Sequence, residues 1–292
     1  MEICDFAFHQ PTTLTEACDL GRKHGRDARF LAGGTEILPD FKQGRDTARH
    51  LIGLQRIQEL HEIRDDGKFL RIGGAATLSA VAESSVVHRI FPPLAEAVLS
   101  IAAMQIRNVA TLGGNFCGGV PSADTPPICI VGEARTRLVG VEGERVLPAE
   151  RFFLGPREVD LQRGELLAEI LIPIQPRGSG ASYQRFARRR ATALPVAAVA
   201  ARVVLTEERI SGARVALGAV APTPILATEC AEILLGGTPS EALFARAAGA
   251  AADASRPITD LRGSIEFRRE LVDALTRRAL RLATARARGE AG

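Results

Sequence analysis

The chain has 292 residues, enough for two domains with a sizeable core, and 46% apolar and 24% charged residues, as in ordinary globular proteins. A net charge of +3, no Trp and a single Tyr offer neither a strong basic excess nor an aromatic platform, so no nucleic-acid partner is expected. No apolar run reaches membrane-spanning length and no basic-then-apolar leader opens the chain, so a cytoplasmic protein without a membrane span is expected.

In chain order, residues 5–10, closed by Pro11, read as a short strand. Thr13 and Glu16 make a T-x-x-E capping box that opens a helix through about Lys23. Residues 28–31 read as a strand and 36–43 as a helix leading to Gly44, giving a small β-α-β-α unit. Residues 61–72 have apolar flanks around Asp65-Asp66-Gly67 and predict a hairpin or meander. Helices are predicted over 78–83 and 94–103, the second entered through Pro92-Pro93. Another starts at Pro121-Ser122-Ala123-Asp124 and ends near Glu133. Strands at 136–141 and 165–172 close this unit at Pro173, and the polar, Pro- and Gly-bearing stretch 175–180 reads as a linker. Beyond it, 182–186, 196–205 and 210–219 read as antiparallel strands. Residues 241–252 and 265–286 read as helices, the last with Leu271, Leu275 and Leu282 on one face and arginines on the solvated others.

Two glycine-rich segments stand out, Leu31-Ala32-Gly33-Gly34-Thr35-Glu36 and Ala110-Thr111-Leu112-Gly113-Gly114-Asn115. Glycine permits positive φ and lets a ligand or another backbone come close. Consecutive free N–H groups in such turns make an anion site, and Thr35 and Thr111 add hydroxyl donors. Two such cradles would grip the two halves of one pyrophosphate, although neither segment is a G-x-x-x-x-G-K-[ST] or G-x-G-x-x-G fingerprint. Cys4, Cys18, Cys117, Cys129 and Cys230 are scattered, without C-x-x-C pairs or iron–sulfur ligand runs, and read as small buried hydrophobes in a reducing compartment. The five histidines have neither H-x-x-x-H nor H-E-x-x-H spacing, so no metal site is expected.

Several of these residues recur together in one family. Phe30-Leu-Ala-Gly-Gly-Thr-Glu-Ile-Leu38, Gln105-Ile-Arg-Asn-Val-Ala-Thr-Leu-Gly-Gly-Asn115, Pro121-Ser-Ala-Asp124 and Asp260-Leu-Arg-Gly-Ser-Ile-Glu-Phe-Arg268 resemble the flavin-binding medium subunit of molybdenum hydroxylases. That family includes the FAD subunits of xanthine dehydrogenase, carbon monoxide dehydrogenase and 4-hydroxybenzoyl-CoA reductase. The opening Phe6-Ala-Phe-His-Gln-Pro-Thr-Thr-Leu14 is similar too, so the resemblance covers essentially the whole chain. It implies an α+β fold: an FAD-binding domain over 1–175, of the vanillyl-alcohol-oxidase (PCMH-like) type with subdomains of about 1–55 and 56–175. A C-terminal domain over 180–288 would follow, with a three-stranded antiparallel sheet and helices.

The resemblance also implies site residues. The FAD pyrophosphate would lie on Leu31, Ala32, Gly33, Gly34, Thr35, Glu36 and Ile37, and on Ala110, Thr111, Gly114 and Asn115, with Phe116 and Gly118 nearby. Ile101 and Ala102 would sit beside the adenine or flavin, Ala123 and Asp124 at the adenosine ribose, and Leu167 against the ring system. Arg185, where many relatives carry Lys, would stabilise negative charge at the reduced flavin's N1/C2 edge. Ala123 replaces a frequent Ser, Cys117-Gly118-Gly119 is unusually glycine-rich, and no acidic residue follows Arg188-Arg189-Arg190 within Ala191-Thr192-Ala193-Leu194. The cysteine-rich insertion of the reductases is absent after Asn115, so no extra [4Fe-4S] cluster is expected. With no cluster ligands of its own, the chain would be an electron-transfer subunit of a heterotrimer or a dimer of heterotrimers. A small partner would carry two [2Fe-2S] clusters, a large partner would carry molybdopterin and the substrate chemistry, and an external carrier would exchange electrons with FAD. A stand-alone FAD-dependent oxidoreductase and a flavin-free accessory subunit are the alternatives.

Overall fold

The computed structural model describes residues 5–189 and 193–290. Cys4 and the expected features at Arg190, Ala191 and Thr192 lie outside them.

The first layer is a parallel three-stranded sheet. Its strands β1 (Ala7–His9), β2 (Ala28–Leu31) and β3 (His50–Gly53) lie in the order β1-β3-β2, with α1 (Leu14–His24) and α2 (Ile37–Lys42) as connections. The Thr13 hydroxyl accepts from Glu16 N at 3.2 Å, and Glu16 reaches back to Thr12 N at 2.9 Å. Gly25, at φ 55°, stops α1 where a residue with a Cβ would be strained. The central strand β3 falls in a stretch to which the sequence reading gives no element. It is four residues long, with Leu51 and Ile52 both buried, so it has no alternation to read.

The second layer is an antiparallel five-stranded sheet with helices on one side. It begins with β4 (Ile63–Asp65) and β5 (Phe69–Gly73), the hairpin expected from Asp65-Asp66-Gly67, with Gly67 at φ 83°. Then come α3 (Leu78–Glu83), α4 (Ser85–Ile90), α5 (Pro92–Leu99), α6 (Met104–Arg107), α7 (Leu112–Cys117) and α8 (Thr125–Val131). The strands β6 (Arg135–Gly140), β7 (Gly143–Pro148), β8 (Phe153–Gly155), β9 (Glu158–Val159) and β10 (Leu166–Pro173) complete it. The order is β4-β5-β10-β6-β7, with β8-β9 as a separate ribbon. Helix α5 ends at Leu99 rather than near 103, because the chain turns through Ala102 at φ 45°. Pro126 and Pro127 occupy the first turn of α8, where missing N–H groups are harmless, and Asp124 precedes it.

The third layer is an antiparallel sheet of β11 (Ser179–Phe186), β12 (Ala197–Thr206) and β13 (Arg209–Gly218), joined by the two-residue β14 (Ile225–Leu226) that the three-strand expectation omits. Helices α9 (Thr228–Leu234), α10 (Glu241–Ala254) and α11 (Ile265–Ala287) cover one face. Along β12, Ala197, Val199, Ala201 and Val203 join the core beneath these helices, while Ala198 and Ala200 join the core around α5 and α8. Burial on both faces is why this strand is a nearly unbroken apolar run. The buried face of α11 centres on Val272, Leu275, Ala279, Leu280 and Ala283, one step round from the expected Leu271 and Leu282. Arg268, 3% exposed, ties the 260–268 segment down. It pairs with Asp260 at 2.5 Å and donates to the Val196 and Ala219 carbonyls at 3.0 Å. The conspicuous D-x-R-G-S-x-E-F-R run is thus a structural latch onto the sheet.

Candidate functional site

Strand β2 runs out at Leu31 and the chain turns through Gly33 and Gly34 before α2. Leu54 N donates to the Leu31 carbonyl at 2.9 Å, and the Gln55 side-chain amide donates to Leu31 O at 3.1 Å and Ala32 O at 2.7 Å. Gly34 has φ 71°, a left-handed conformation that a side chain would strain. Among the described residues, the N–H groups of Gly33, Gly34, Thr35 and Glu36 meet no protein acceptor. Four consecutive free donors beside a cavity form an anion cradle.

The second glycine segment is built differently, and here the structure corrects the expectation of a second backbone cradle. Leu112 to Cys117 is helical, with Thr111 as N-cap. Leu112 N donates to Ala76 O, Gly113 N to Gly74 O, Gly114 N to the Thr111 hydroxyl and Asn115 N to Thr111 O, so these N–H groups are committed. What faces a ligand from this side is side-chain chemistry. The Thr111 hydroxyl proton remains available. The Asn115 Oδ1 accepts from the Thr125 hydroxyl at 2.6 Å, which fixes the amide and leaves its Nδ2 donors uncommitted. Gly113 serves packing: a Cβ there would stand 2.9 Å from the Gly74 carbonyl carbon and Cα, and closer still to the Gly74 oxygen. The two segments also touch. A Cβ on Gly33 would stand 2.7 Å from the Val109 carbonyl carbon and 2.8 Å from Ala110 Cα.

Between them lies a cavity of about 490 Å³, within the range of ~300–1,000 Å³ usual for ligand sites. Its wall divides by chemistry. Phe30, Leu54, Leu78, Ile101, Ile106, Leu161, Leu166 and Leu167 offer an apolar surface that suits a flat ring system. The polar part carries the free backbone donors and two ion-paired clusters. Arg29 meets Asp46 at 2.6 Å, and Arg157 bridges Glu36 at 2.8 Å and Asp40 at 2.7 Å. Burial holds the Glu36 carboxyl above the usual carboxylate range, although Arg157 pulls the other way. Cys117 also lines the wall, and burial pushes its thiol up to about 12, so it is no nucleophile at neutral pH.

Of the expected site residues, Ala32, Gly33, Gly34, Thr35, Glu36, Ile37, Ile101, Ala110, Thr111, Gly114, Asn115, Gly118 and Leu167 line this cavity. Leu31, Ala102, Phe116, Ala123, Asp124 and Arg185 are outside its lining. Phe116 is fully buried among Phe152 and Phe153. Asp124, 4% exposed, accepts from Tyr183 at 2.8 Å and pairs with Arg185 at 3.0 Å. Arg185 also donates to the Ser100 carbonyl at 2.6 Å, next to the cavity-lining Ile101. In this structure Asp124 and Arg185 therefore hold the cavity wall from behind. Arg107 braces the same segment, donating to the Ile101 carbonyl at 2.7 Å beside the strained Ala102. The lining residues to which the sequence reading gave no site role include Gly74, Leu78, Leu166, Leu54, Leu161 and Arg157; of these only Gly74, in the Gly73-Gly74 pair, carried a local signal.

The fit to FAD can be judged from these contacts. A row of unpaired N–H groups with a Thr hydroxyl suits a diphosphate, and the apolar wall suits an isoalloxazine ring. Glycine stands where added Cβ atoms would close the gap between the segments. The family comparisons agree. Residues 4–175 match the FAD binding domain in molybdopterin dehydrogenase, and residues 181–283 match the CO dehydrogenase flavoprotein C-terminal domain. The carbon monoxide dehydrogenase medium chain of Hydrogenophaga pseudoflava is 34% identical over 96% of this chain and 98% of its own length. The xanthine dehydrogenase FAD-binding subunit of Escherichia coli is 33% identical over 98% of this chain and 99% of its own. The solved carbon monoxide dehydrogenase from Oligotropha carboxidovorans contains a chain that superposes with a TM-score of 0.95 at 33% identity, covering 98% of this chain and 100% of that one. Fold, cavity and sequence thus converge: the chain belongs to the family of FAD-binding medium subunits of molybdenum hydroxylases.

Proposed function

We propose that this protein is the electron-transfer subunit of a three-subunit molybdenum hydroxylase, passing electrons between [2Fe-2S] clusters on a small subunit and an external carrier. The large subunit would hold molybdopterin and the organic substrate. FAD, when bound, supplies a centre able to exchange electrons singly or in pairs. The chain's own residues bind and orient it. The N–H groups of Gly33, Gly34, Thr35 and Glu36 take the diphosphate, with the hydroxyls of Thr35 and Thr111 and the Asn115 amide as further donors. The walls of Leu78, Ile101, Leu166 and Leu167 seat the ring system and exclude water. Asp124 and Arg185 act as positioning residues through Ser100. Residues 1–175 form the flavin domain, in parts of about 1–55 and 56–175, and 180–288 the C-terminal domain.

The observation that carries this reading is the cavity itself, with free backbone donors on one part of its wall and an apolar face on another. The cytoplasm suits the chain, because Cys18, Cys117, Cys129 and Cys230 are all free thiols. Among the described residues, no helix is long and apolar enough to cross a membrane. Carbon monoxide and xanthine in the names of two relatives point to a substrate chosen by another subunit. The test is gentle purification through a tag on this chain, followed by visible spectroscopy and metal analysis. Flavin bands, iron–sulfur absorbance, molybdenum and two co-purifying chains are expected. An active, flavin-loaded single polypeptide would overturn the reading in favour of a stand-alone oxidoreductase.

A further inference from the structure

Away from the cavity, three histidines far apart in sequence come together. His9 ends β1, His24 ends α1 and His50 begins β3. One ring nitrogen from each lies within 4.8 Å of the others. His9 Nε2 and His50 Nδ1 are hydrogen bonded at 3.0 Å, and the His24 and His50 rings stack with centroids 3.6 Å apart. The His24 Nε2 is sealed from solvent and, among the described residues, has no partner. A buried nitrogen with nothing to bond is a costly arrangement that folded proteins usually avoid.

The topology of the first sheet brings the three rings together. Ala7 and Ala28 both pair with His50 across the sheet, so His9, two residues beyond Ala7, shares a face with His50. Helix α1 crosses that face, and Gly25 ends it so that His24 hangs over the pair. The glycine turn leaves β2 at its other end, after Leu31, and none of the three histidines lines the cavity.

We propose that His9, His24 and His50 form a binding site for one late first-row divalent cation, Zn²⁺ foremost, with three imidazole ligands and an open coordination position. Two nitrogens bound to one tetrahedral zinc at ~2.0 Å each stand roughly 3.3 Å apart, close to the spacing that His9 and His50 already have. Tilting the stacked His24 ring about its χ bonds brings the third nitrogen in. Neutral imidazoles without thiolates favour zinc, copper, nickel or cobalt, and the absence of carboxylates from the set disfavours magnesium and calcium. The C-terminus of α1 adds its partial negative charge beside the three rings. The ion would clip β1, α1 and β3, the three segments that frame the first layer, so its effect falls on stability and not on the flavin cavity.

The experiment uses the purified complex, stripped with chelator and dialysed against graded Zn²⁺, with bound zinc read by elemental analysis. Wild type is compared with His24→Gln and His50→Gln, and with His61→Gln and His88→Gln as controls outside the cluster. Wild type and both controls should bind one more saturable equivalent of zinc than His24→Gln or His50→Gln, at micromolar zinc or tighter, together with a zinc-dependent rise in melting temperature. Loss of one of three ligands should weaken binding by more than the roughly 10–100-fold that loss of an outer-shell partner costs. Flavin content should stay at the wild-type level in all four substituted proteins. Should His50→Gln unfold the first layer, His24→Gln, at the end of its helix, still decides. Equal zinc affinity in wild type and His24→Gln, or no saturable zinc in wild type, would overturn the proposal.

Discussion

Replacing Gly33 with Ala tests the contact between the two glycine segments. The added methyl would stand 2.7 Å from the Val109 carbonyl carbon, 2.8 Å from Ala110 Cα and closer still to the Val109 oxygen. Backbone atoms on both sides leave no flexible side chain to move aside, so the segments must part by roughly 1 Å to reach a normal carbon–carbon separation of ~3.5–4.0 Å. Hydrogen bonds from the Gly33–Glu36 donors to a diphosphate would then stretch beyond useful length. Losing two bonds to a charged group, at about 1.5–3 kcal/mol each, weakens FAD binding by about 3–6 kcal/mol, or roughly 10²- to 10⁴-fold in Kd. The assay is flavin content after gel filtration, followed by fluorescence titration of the deflavinated protein with FAD. Circular dichroism should report an unchanged secondary-structure content, because the C-terminal layer has its own core. A Gly33→Ala protein that retains FAD with wild-type affinity would refute the argument that this close approach shapes the site.

Other perturbations probe the frame. Glu169, 7% exposed, is ringed by Arg64, Arg71 and Arg137. Burial raises its carboxyl, but the hydrogen bonds from Arg71 and the three positive charges outweigh this and hold it below its usual range. Glu169→Gln should destabilise by about 2–3 kcal/mol at pH 7, somewhat under the usual cost of breaking a buried pair because the arginines are partly exposed. A depressed folded-state value means that the stabilisation is present above the unfolded carboxylate range and is lost as pH falls through the folded value. The gap in melting temperature between wild type and Glu169→Gln should therefore narrow progressively below about pH 4.5; a gap independent of pH would contradict this. Arg157→Ala removes the bridge to Glu36 and Asp40. It should weaken FAD binding while changing stability by no more than ~1 kcal/mol, since the pair is half exposed; equal FAD affinity would place Arg157 outside the binding machinery. Gly249→Ala, inside α10 with no atom within 4 Å of the new methyl, should stabilise by about 0.5–1 kcal/mol in a denaturant melt.

Much of the fold is legible in local signals, and the exceptions have physical reasons. The T-x-x-E box, the Asp-Asp-Gly hairpin and the long strands of the third layer each depend on interactions within a few residues or on sustained periodicity. Strand β3 does not, because its four residues include three consecutive buried ones, Leu51 to Gly53, in the middle of a parallel sheet and so carry no alternation. Helix α7 is hidden for the opposite reason. Its Gly113-Gly114 pair has poor helix propensity, and only the Thr111 cap and the packing against Gly74 make a helix there. The histidine cluster escapes spacing rules because its members come from three separate elements joined by the topology of the first sheet.

The two glycine segments show the same limit inside the site. A missing Cβ serves an exposed row of N–H donors and a close backbone crossing equally well, so sequence cannot separate the two uses. Gly34, at positive φ among unpaired donors, serves the first; Gly113, pressed against Gly74 with its N–H spent, serves the second. Gly114 differs from both. A Cβ there meets only the Thr111 hydroxyl, at 2.9 Å, which is a side-chain contact and can give. In the proposed FAD site the two motifs that look symmetric in the sequence therefore divide the work: the first would supply free backbone N–H donors, and the second a rigid wall carrying the Thr111 hydroxyl and the Asn115 amide. Replacing Gly34 should thus cost affinity through strained backbone and misaligned donors. Replacing Gly114 by Ala should act through loss of the Thr111 cap, and so fall on the placement of one hydroxyl.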